Sequence, residues 1–352
     1  MSIIKWDRYP FLALSLPAKT WLSLQLDFGL ASNTIDAYAR ALEDYLSFSN
    51  LCGIDIHSAN RQHIASYVRE MSARPNPRLS KRDSFASNVA SIPGLANATL
   101  QQRLTVLRLY YDYLIEEGLR TDNPVGRGRY TPGRSFGSQH ERGFIPRYRR
   151  LPWIPTSEQW QSILEAARLE PIRNRAMLAL AYDAALRREE LCSLTIADVD
   201  PALRLLRIRA ETTKNRQERI VPYSEPTSLL YQAYLSHRHS LSRDRGPLFL
   251  SESHRNRAQP VSIWTWSKVI QGIAHRSAVH RLTTHTFRHL CLTDLAQAGW
   301  ELHEIAKFAG HRSIQSTLNY IHLSGRDLSA KLNAGMSQLH SWRVKQMAEV
   351  LK

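Results

Sequence analysis

Apolar residues recur at three- and four-residue steps over most of the chain, the period of a helix with one buried face. In the first third, residues 17–30 form one such stretch. A second starts at Ser32-Asn33-Thr34, residue types suited to capping, and runs to about residue 49 with Ile35, Tyr38, Leu42, Tyr45 and Leu46 on one face. Residues 61–73 predict a third helix. Residues 97–117 predict a fourth, with Leu100, Leu104, Leu107, Tyr111 and Leu114 at helical spacing. The short apolar run over 11–18 lies behind Lys5 and Arg8, the outline of a secretion signal, but another amphipathic stretch follows at once. It therefore reads as a core-facing lead-in.

The second half opens with Thr156-Ser157-Glu158-Gln159, a capping-box pattern for a helix over 158–168. A very apolar helix over 171–185 follows. Strand-like pieces come next, at 204–209 and 219–222, joined by the polar stretch 211–218. The rest is helical: about 224–240, 261–275, 284–298, 302–308, 313–322, and a last helix from Asp327 carrying the stripe Leu328, Leu332, Met336, Leu339 and Trp342. Between the halves, prolines and glycines such as Pro124, Gly126, Gly128, Pro132, Gly133 and Pro146 abolish any period, which predicts a linker. The pattern predicts a mainly α fold with a small antiparallel β-sheet. It divides into an N-terminal helical domain (1–123), a linker (124–155), a second domain (156–325) and a C-terminal helix (326–352).

A length of 352 residues fits two domains, and 43% hydrophobic with 22% charged residues is an ordinary globular balance that excludes a disordered or fibrous chain. The formal net charge of +16 points to a polyanionic partner, nucleic acid first. The excess is uneven. The linker carries seven arginines against Glu141 alone, and the loop after the third helix carries Arg74, Arg78, Lys81 and Arg82 against Asp83. A charge run is usually a solvated face, but both segments lie outside regular helices, which suits contacts to phosphates. Arg78, Lys81, Arg82, Arg147, Arg149 and Arg150 are the DNA-binding candidates. If extended at ~3.3 Å per residue, the linker could span ~100 Å, enough to pass around a duplex. Three widely spaced cysteines exclude a disulfide framework and a Cys-rich zinc site and fit a reducing compartment. No stretch approaches the ~20 apolar residues of a membrane span. A cytoplasmic protein, associated with the nucleoid when on DNA, is expected.

Five stretches carry candidate chemistry, and their order matters more than any one of them. They are Ala185-Leu186-Arg187-Arg188-Glu189-Glu190-Leu191; Lys214, before Arg219-Ile220-Val221-Pro222; His285-Thr286-Phe287-Arg288-His289; Gly310-His311; and Tyr320, nine residues after His311. In this order they resemble the tyrosine recombinase (phage integrase) family. That family has an Arg in Gly-Leu-Arg-x-x-Glu-Leu, a Lys on a β-hairpin ending Arg-x-Val-Pro, His-x-x-Arg-His, and a Gly-His pair shortly before a Tyr. The resemblance spans 156–325 through these motifs and 32–120 through helix pattern and Asn33-Thr34 with Tyr38. It implies catalytic Arg187, Lys214, His285, Arg288, His311 and Tyr320, with Glu190 in support. Ala185 stands where the family has Gly, and Thr213 and Asn215 stand where glycines flank the Lys.

The same residues make chemical sense without the family. Cleaving a phosphodiester builds charge on the non-bridging and leaving oxygens, and guanidinium groups such as Arg187 and Arg288 bind phosphate oxygens bidentately. A phenol with a pKa near ~10 needs a base or a cationic site to attack at neutral pH. His285 can take its proton, His311 can donate to the phosphate, and Lys214 can protonate the leaving oxygen as general acid. Singly, each has a bland reading: most tyrosines pack, and most lysines and arginines are solvated. His285 and His289 at i, i+4 could bind zinc, but Thr286 stands where zinc proteases carry Glu, and Arg288 would oppose the cation. No metal is expected.

The resemblance implies a SAM-like four-helix core-binding domain ahead of the catalytic domain and no cofactor. It also implies double-stranded DNA with a specific recombination site as substrate, and a homo-tetramer on two such sites, with accessory DNA-bending or partner recombinase proteins as further partners. A type IB topoisomerase shares the chemistry. A non-catalytic DNA-binding protein on the same fold is a second alternative, opposed by the full set of six residues. A metal-dependent transposase of the three-carboxylate type is a third, opposed by the absence of a well-placed acidic triad. The length and the long basic insertions favour a mobile-element enzyme.

Overall fold

The computed structural model describes residues 4–74, 94–126, 145 and 151–318. In the first part of the chain the helical periodicity becomes α1 (Pro10–Leu14), α2 (Leu16–Asp27), α3 (Ser32–Leu51), α4 (Arg61–Ala73) and α5 (Asn97–Glu116). The four expected helices are present, and the lead-in is a helical turn of its own. Leu12 and Ala18 face the core, while Leu14 and Leu16 face outward. The Glu43 carboxylate on α3 accepts the N–H groups of Phe11 (3.2 Å) and Leu12 (2.8 Å), so a side chain from another helix caps α1. The caps expected at Ser32-Asn33-Thr34 are corrected: Ala31 occupies the cap position without a side-chain bond, and the polar triplet forms the first turn. Asn60 is the true side-chain cap of this region, accepting from the N–H groups of Gln62 and His63 at the start of α4. Trp21, Leu42, Tyr45, Tyr67, Leu107 and Tyr111 fill the core, and Val125 and Ile145 are buried in it. The tyrosines bring polar ends that need partners; Tyr45 and Tyr111 bond each other at 2.6 Å, and Tyr67 donates to Asp44 at 2.6 Å.

The second part contains α6 (Ser157–Arg168), α7 (Ile172–Asp183), α8 (Arg188–Cys192), β1 (Val199–Asp200), β2 (Leu205–Ile208), β3 (Arg219–Pro222), α9 (Glu225–Leu241), α10 (Ile263–Arg276), α11 (Thr286–Gln297) and α12 (Leu302–Ala309). The capping box at α6 forms in both directions: Thr156 Oγ1 accepts from Gln159 N, and Gln159 Oε1 from Thr156 N. The three strands make an antiparallel sheet in the order β1-β2-β3, with Leu206 opposite Val221 and Ile208 opposite Arg219. α7 is buried on several sides, against α9 and α11, which explains the apolar run over 176–182 within it. Of the helix expected over 313–322, the described residues show a 3₁₀ turn, Ile314–Ser316; the stretch from 319 on, with the C-terminal stripe, lies outside the described residues.

The chain divides into two units, Met1–Arg149 and Arg150–Lys352, each with its own hydrophobic core. Cys192 and Cys291 are buried and Cys52 is exposed; burial pushes both buried thiols up to about 12. Among the described residues no helix is long and apolar enough to cross a membrane.

Candidate active site

The site is built around the C-terminal end of α12. Gly310 sits there at φ +62, a left-handed conformation that favours glycine. It closes the helix with a paired turn: Gly310 N–H donates to Lys307 O (3.1 Å) and His311 N–H to Ala306 O (2.9 Å). That leaves the carbonyls of Phe308, Ala309 and Gly310, at the negative end of the helix dipole, in need of donors. Side chains from three other elements supply them. Arg219 Nε on β3 donates to Phe308 O (3.0 Å), and Arg288 Nη2 on α11 donates to Ala309 O (2.5 Å). Arg187 Nη2, just ahead of α8, donates to Gly310 O (3.3 Å), as does Asn215 Nδ2 (3.1 Å) from the β2–β3 connection. One helix end thereby gathers three segments that are far apart in sequence, around 187, 215–219 and 288.

A buried carboxylate holds the arginines in place. Glu190, in the first turn of α8, accepts from Arg187 Nη1 (2.7 Å) and from both terminal nitrogens of Arg219 (3.1 and 2.7 Å), and it also accepts the Arg187 backbone N–H (2.9 Å). Burial alone would raise its pKa. The bonds and charge of Arg219, with those of Arg187, outweigh burial and hold the carboxyl down at about 2. Arg288 is buried as well, and its Nη1 donates to Ala185 O at 2.5 Å. Ala185, where the family carries Gly, keeps a left-handed backbone at φ +46.

Lys214 is exposed in the turn joining β2 to β3. Its neighbours do more than fill the places of two glycines. Thr213 is buried, donates through Oγ1 to Ala210 O (2.9 Å) and accepts the Gln217 N–H (3.0 Å), while Asn215 ties the loop to Gly310. His285 lies at the exposed N-terminal edge of α11. Contact with protein and the charges of Arg288, Arg188 and Arg187 lower its pKa, against an upward pull from Glu189. His311 and His289 are each pushed down to about 4, chiefly by burial and then by neighbouring positive charge, from Arg288, Arg187 and Arg219 at His311 and from His285 and Arg288 at His289. Both rings are therefore neutral at pH 7. His311 Nδ1 lies 2.9 Å from Thr317 Oγ1.

The structure thus brings Arg187, Glu190, Arg288 and His311 together, with Lys214 and His285 on adjoining segments. Among the described residues no group of three or more His, Cys, Asp or Glu is arranged to hold a metal ion. Tyr320, Arg78, Lys81, Arg82, Arg147, Arg149 and Arg150 lie outside the described residues. Three residues were missed by sequence reasoning: Arg219, Asn215 and Thr317. Arg219 stood in the Arg-x-Val-Pro run, but nothing in the sequence ties it to a glutamate 29 residues earlier.

Residues 155–326 match the phage integrase family, and residues 20–118 match the phage integrase N-terminal SAM-like domain. The chain belongs to the tyrosine recombinase (phage integrase) family. As a member it is a site-specific recombinase, an enzyme that breaks and rejoins DNA strands. It is 26% identical over 311 residues to tyrosine recombinase XerD of Caulobacter vibrioides, covering 85% of this chain and 88% of the relative. To transposase A of transposon Tn554 from Staphylococcus aureus it is 24% identical, covering 87% of this chain and 86% of the relative. Among solved structures, the Tn1549 transposon integrase bound to transposon right end DNA superposes with a TM-score of 0.62 at 18% identity, covering 91% of this chain and 98% of that one. A lambda integrase dimer on a core site gives 0.60 at 15% identity, covering 88% and 95%. These two likenesses show the recombinase fold, mostly helical with its small antiparallel sheet.

Proposed function

We propose that this recombinase cuts double-stranded DNA at a specific site with Tyr320 as nucleophile and rejoins it through a 3′-phosphotyrosyl intermediate. The phenol oxygen attacks phosphorus while its proton passes to His285. The bond to the 5′ oxygen breaks, and Lys214 protonates the departing oxygen. Arg187 and Arg288 bind the non-bridging oxygens, and neutral His311 donates a further hydrogen bond. A 5′ hydroxyl of another strand reverses the steps, so the energy of the broken bond is kept in the ester and no ATP is used. The observation that supports this most is the gathering of Arg187, Arg288 and His311 around one helix end, with Glu190 fixing Arg187 and two backbone carbonyls fixing Arg288. Arg78, Lys81, Arg82, Arg147, Arg149 and Arg150 contact phosphates. Two transposon-encoded proteins among the similar ones favour a mobile-element role.

The test uses a duplex of the element's end, nicked close to the cleavage position so that the cut strand fragment diffuses away. Wild type should accumulate as a slow band in denaturing gels, with or without EDTA. Tyr320→Phe should bind the duplex and give no such band. An equal band from the Phe variant would remove Tyr320 as nucleophile, and relaxation of supercoiled plasmid without strand exchange would favour the topoisomerase alternative.

The active assembly is a tetramer on two sites, open to accessory proteins, in which the C-terminal stripe from Leu328 to Trp342 docks on the next protomer. That stripe supplies a Trp and several aliphatic residues, the composition of an interface anchor.

A further inference from the structure

We propose that Thr317 is a positioning residue: its hydroxyl donates to Nδ1 of His311 and so keeps the imidazole proton on Nε2, the nitrogen that donates to the phosphate. The inference rests on the role given to His311 above and adds what sets its tautomer. Thr317 has no exposed surface, and its Oγ1 lies 2.9 Å from His311 Nδ1. The contact is built locally. Ser313 Oγ accepts the Gln315 N–H (3.3 Å) and starts the turn Ile314–Ser316, and Thr317 N–H closes it on Ile314 O (2.8 Å), folding the threonine back to the ring six residues earlier. A buried β-branched side chain has little rotamer freedom, so the hydroxyl stays in place.

A neutral imidazole carries one N–H and one lone pair, and the partner of one nitrogen decides the state of the other. His311 is neutral at pH 7. With Nδ1 accepting from Thr317, the proton is on Nε2. In the opposite tautomer Nε2 would turn a lone pair toward an anion drawn in by Arg187 and Arg288, and the contact would be repulsive. Thr317 lies three residues before Tyr320 in the sequence.

The test reads the tautomer directly in the full-length protein. Two-bond proton–nitrogen correlation of His311 should show an unprotonated Nδ1 and a protonated Nε2. Thr317→Ser should preserve that signature, whereas Thr317→Val, equal in shape but without the hydroxyl, should shift Nδ1 and mix the tautomers. On the nicked duplex, Thr317→Val should slow adduct formation roughly 10- to 100-fold, the scale on which metal-bound histidines suffer when their orienting partner is removed. The same change in a His311→Gln background should have no further effect. A wild-type proton on Nδ1, unchanged shifts in Thr317→Val, or further slowing of His311→Gln by Thr317→Val would each overturn the proposal. Wild-type cleavage by His311→Gln would instead refute the role given to His311, and the nitrogen shifts would then decide Thr317 alone.

Discussion

Glu190 has no exposed side-chain surface, yet it stays charged because two guanidinium groups surround it. Its folded pKa of about 2 lies below the ordinary 4.5. The stability it contributes is therefore complete above pH 4.5 and is lost as pH falls toward 2, about 3 kcal/mol over the interval. His311 and His289 act at higher pH. Both are held near 4 against an ordinary 6.5, so unfolded chains bind protons that the folded protein refuses. Stability should accordingly begin to fall at about pH 6.5, well above the 4.5 at which the Glu190 contribution starts to be lost, and go on falling to about 4. Urea midpoints measured from pH 8 to 4 should show this decline, and His289→Gln should make it shallower; a flat profile would mean that the rings are not held neutral. Glu190→Gln keeps the shape but leaves Arg187 and Arg219 without a counter-charge, and should cost about 3 kcal/mol or more at pH 7. Its urea midpoint at that pH gives the value, and a variant as stable as wild type would show that the pair of arginines needs no anion between them.

At the scale of elements, the end of α12 carries the site, and one glycine shapes it. A Cβ at Gly310 would meet Arg219 Nη1 at 3.0 Å, on a backbone at φ +62 where side chains are strained in any case. Gly310→Ala should therefore cost about 1–3 kcal/mol in denaturant unfolding. It should also reduce adduct formation more than that loss explains, because the carbonyl it displaces receives Arg187 and Asn215. Full activity in the alanine variant would mean that the turn has room to spare. This element also shows what the sequence could reveal. The periodicity announced α12 and the motifs announced Arg187, Arg288 and His311, because an unusual residue in a fixed spacing is a local signal. The donors to Phe308, Ala309 and Gly310 come from other segments, and such pairing leaves no local trace. The two-residue strand β1 is too short to show alternation, so only β2 and β3 were legible. The Ser32 triplet looked like a cap because the residue types fit; the chain satisfies the first turn of α3 without them.

At the scale of the molecule, residues 124–155 carry seven arginines against one glutamate, a dense share of the net charge of +16. Replacing Arg147, Arg149 and Arg150 with neutral residues should weaken binding to all duplexes alike, because phosphate contacts carry no base information. The slope of log affinity against log salt should become shallower by ~0.9 for each phosphate no longer neutralised. An unchanged slope would make these arginines solvent-facing only. Truncation after Gly325 should leave a protein that binds a half-site but forms no tetramer on full sites, as sedimentation would report; a truncated protein that still recombines would place the C-terminal stripe on its own protomer. The cysteines offer a way to count subunits. Maleimide dyes react with thiolate, and burial both hides Cys192 and Cys291 and pushes their thiols up to about 12, so little thiolate forms at pH 7. Cys52, exposed on the other unit, is left to take the dye. The unmodified chain can thus carry one fluorophore per protomer, and the number of bleaching steps on a single DNA complex would give the number of subunits holding it.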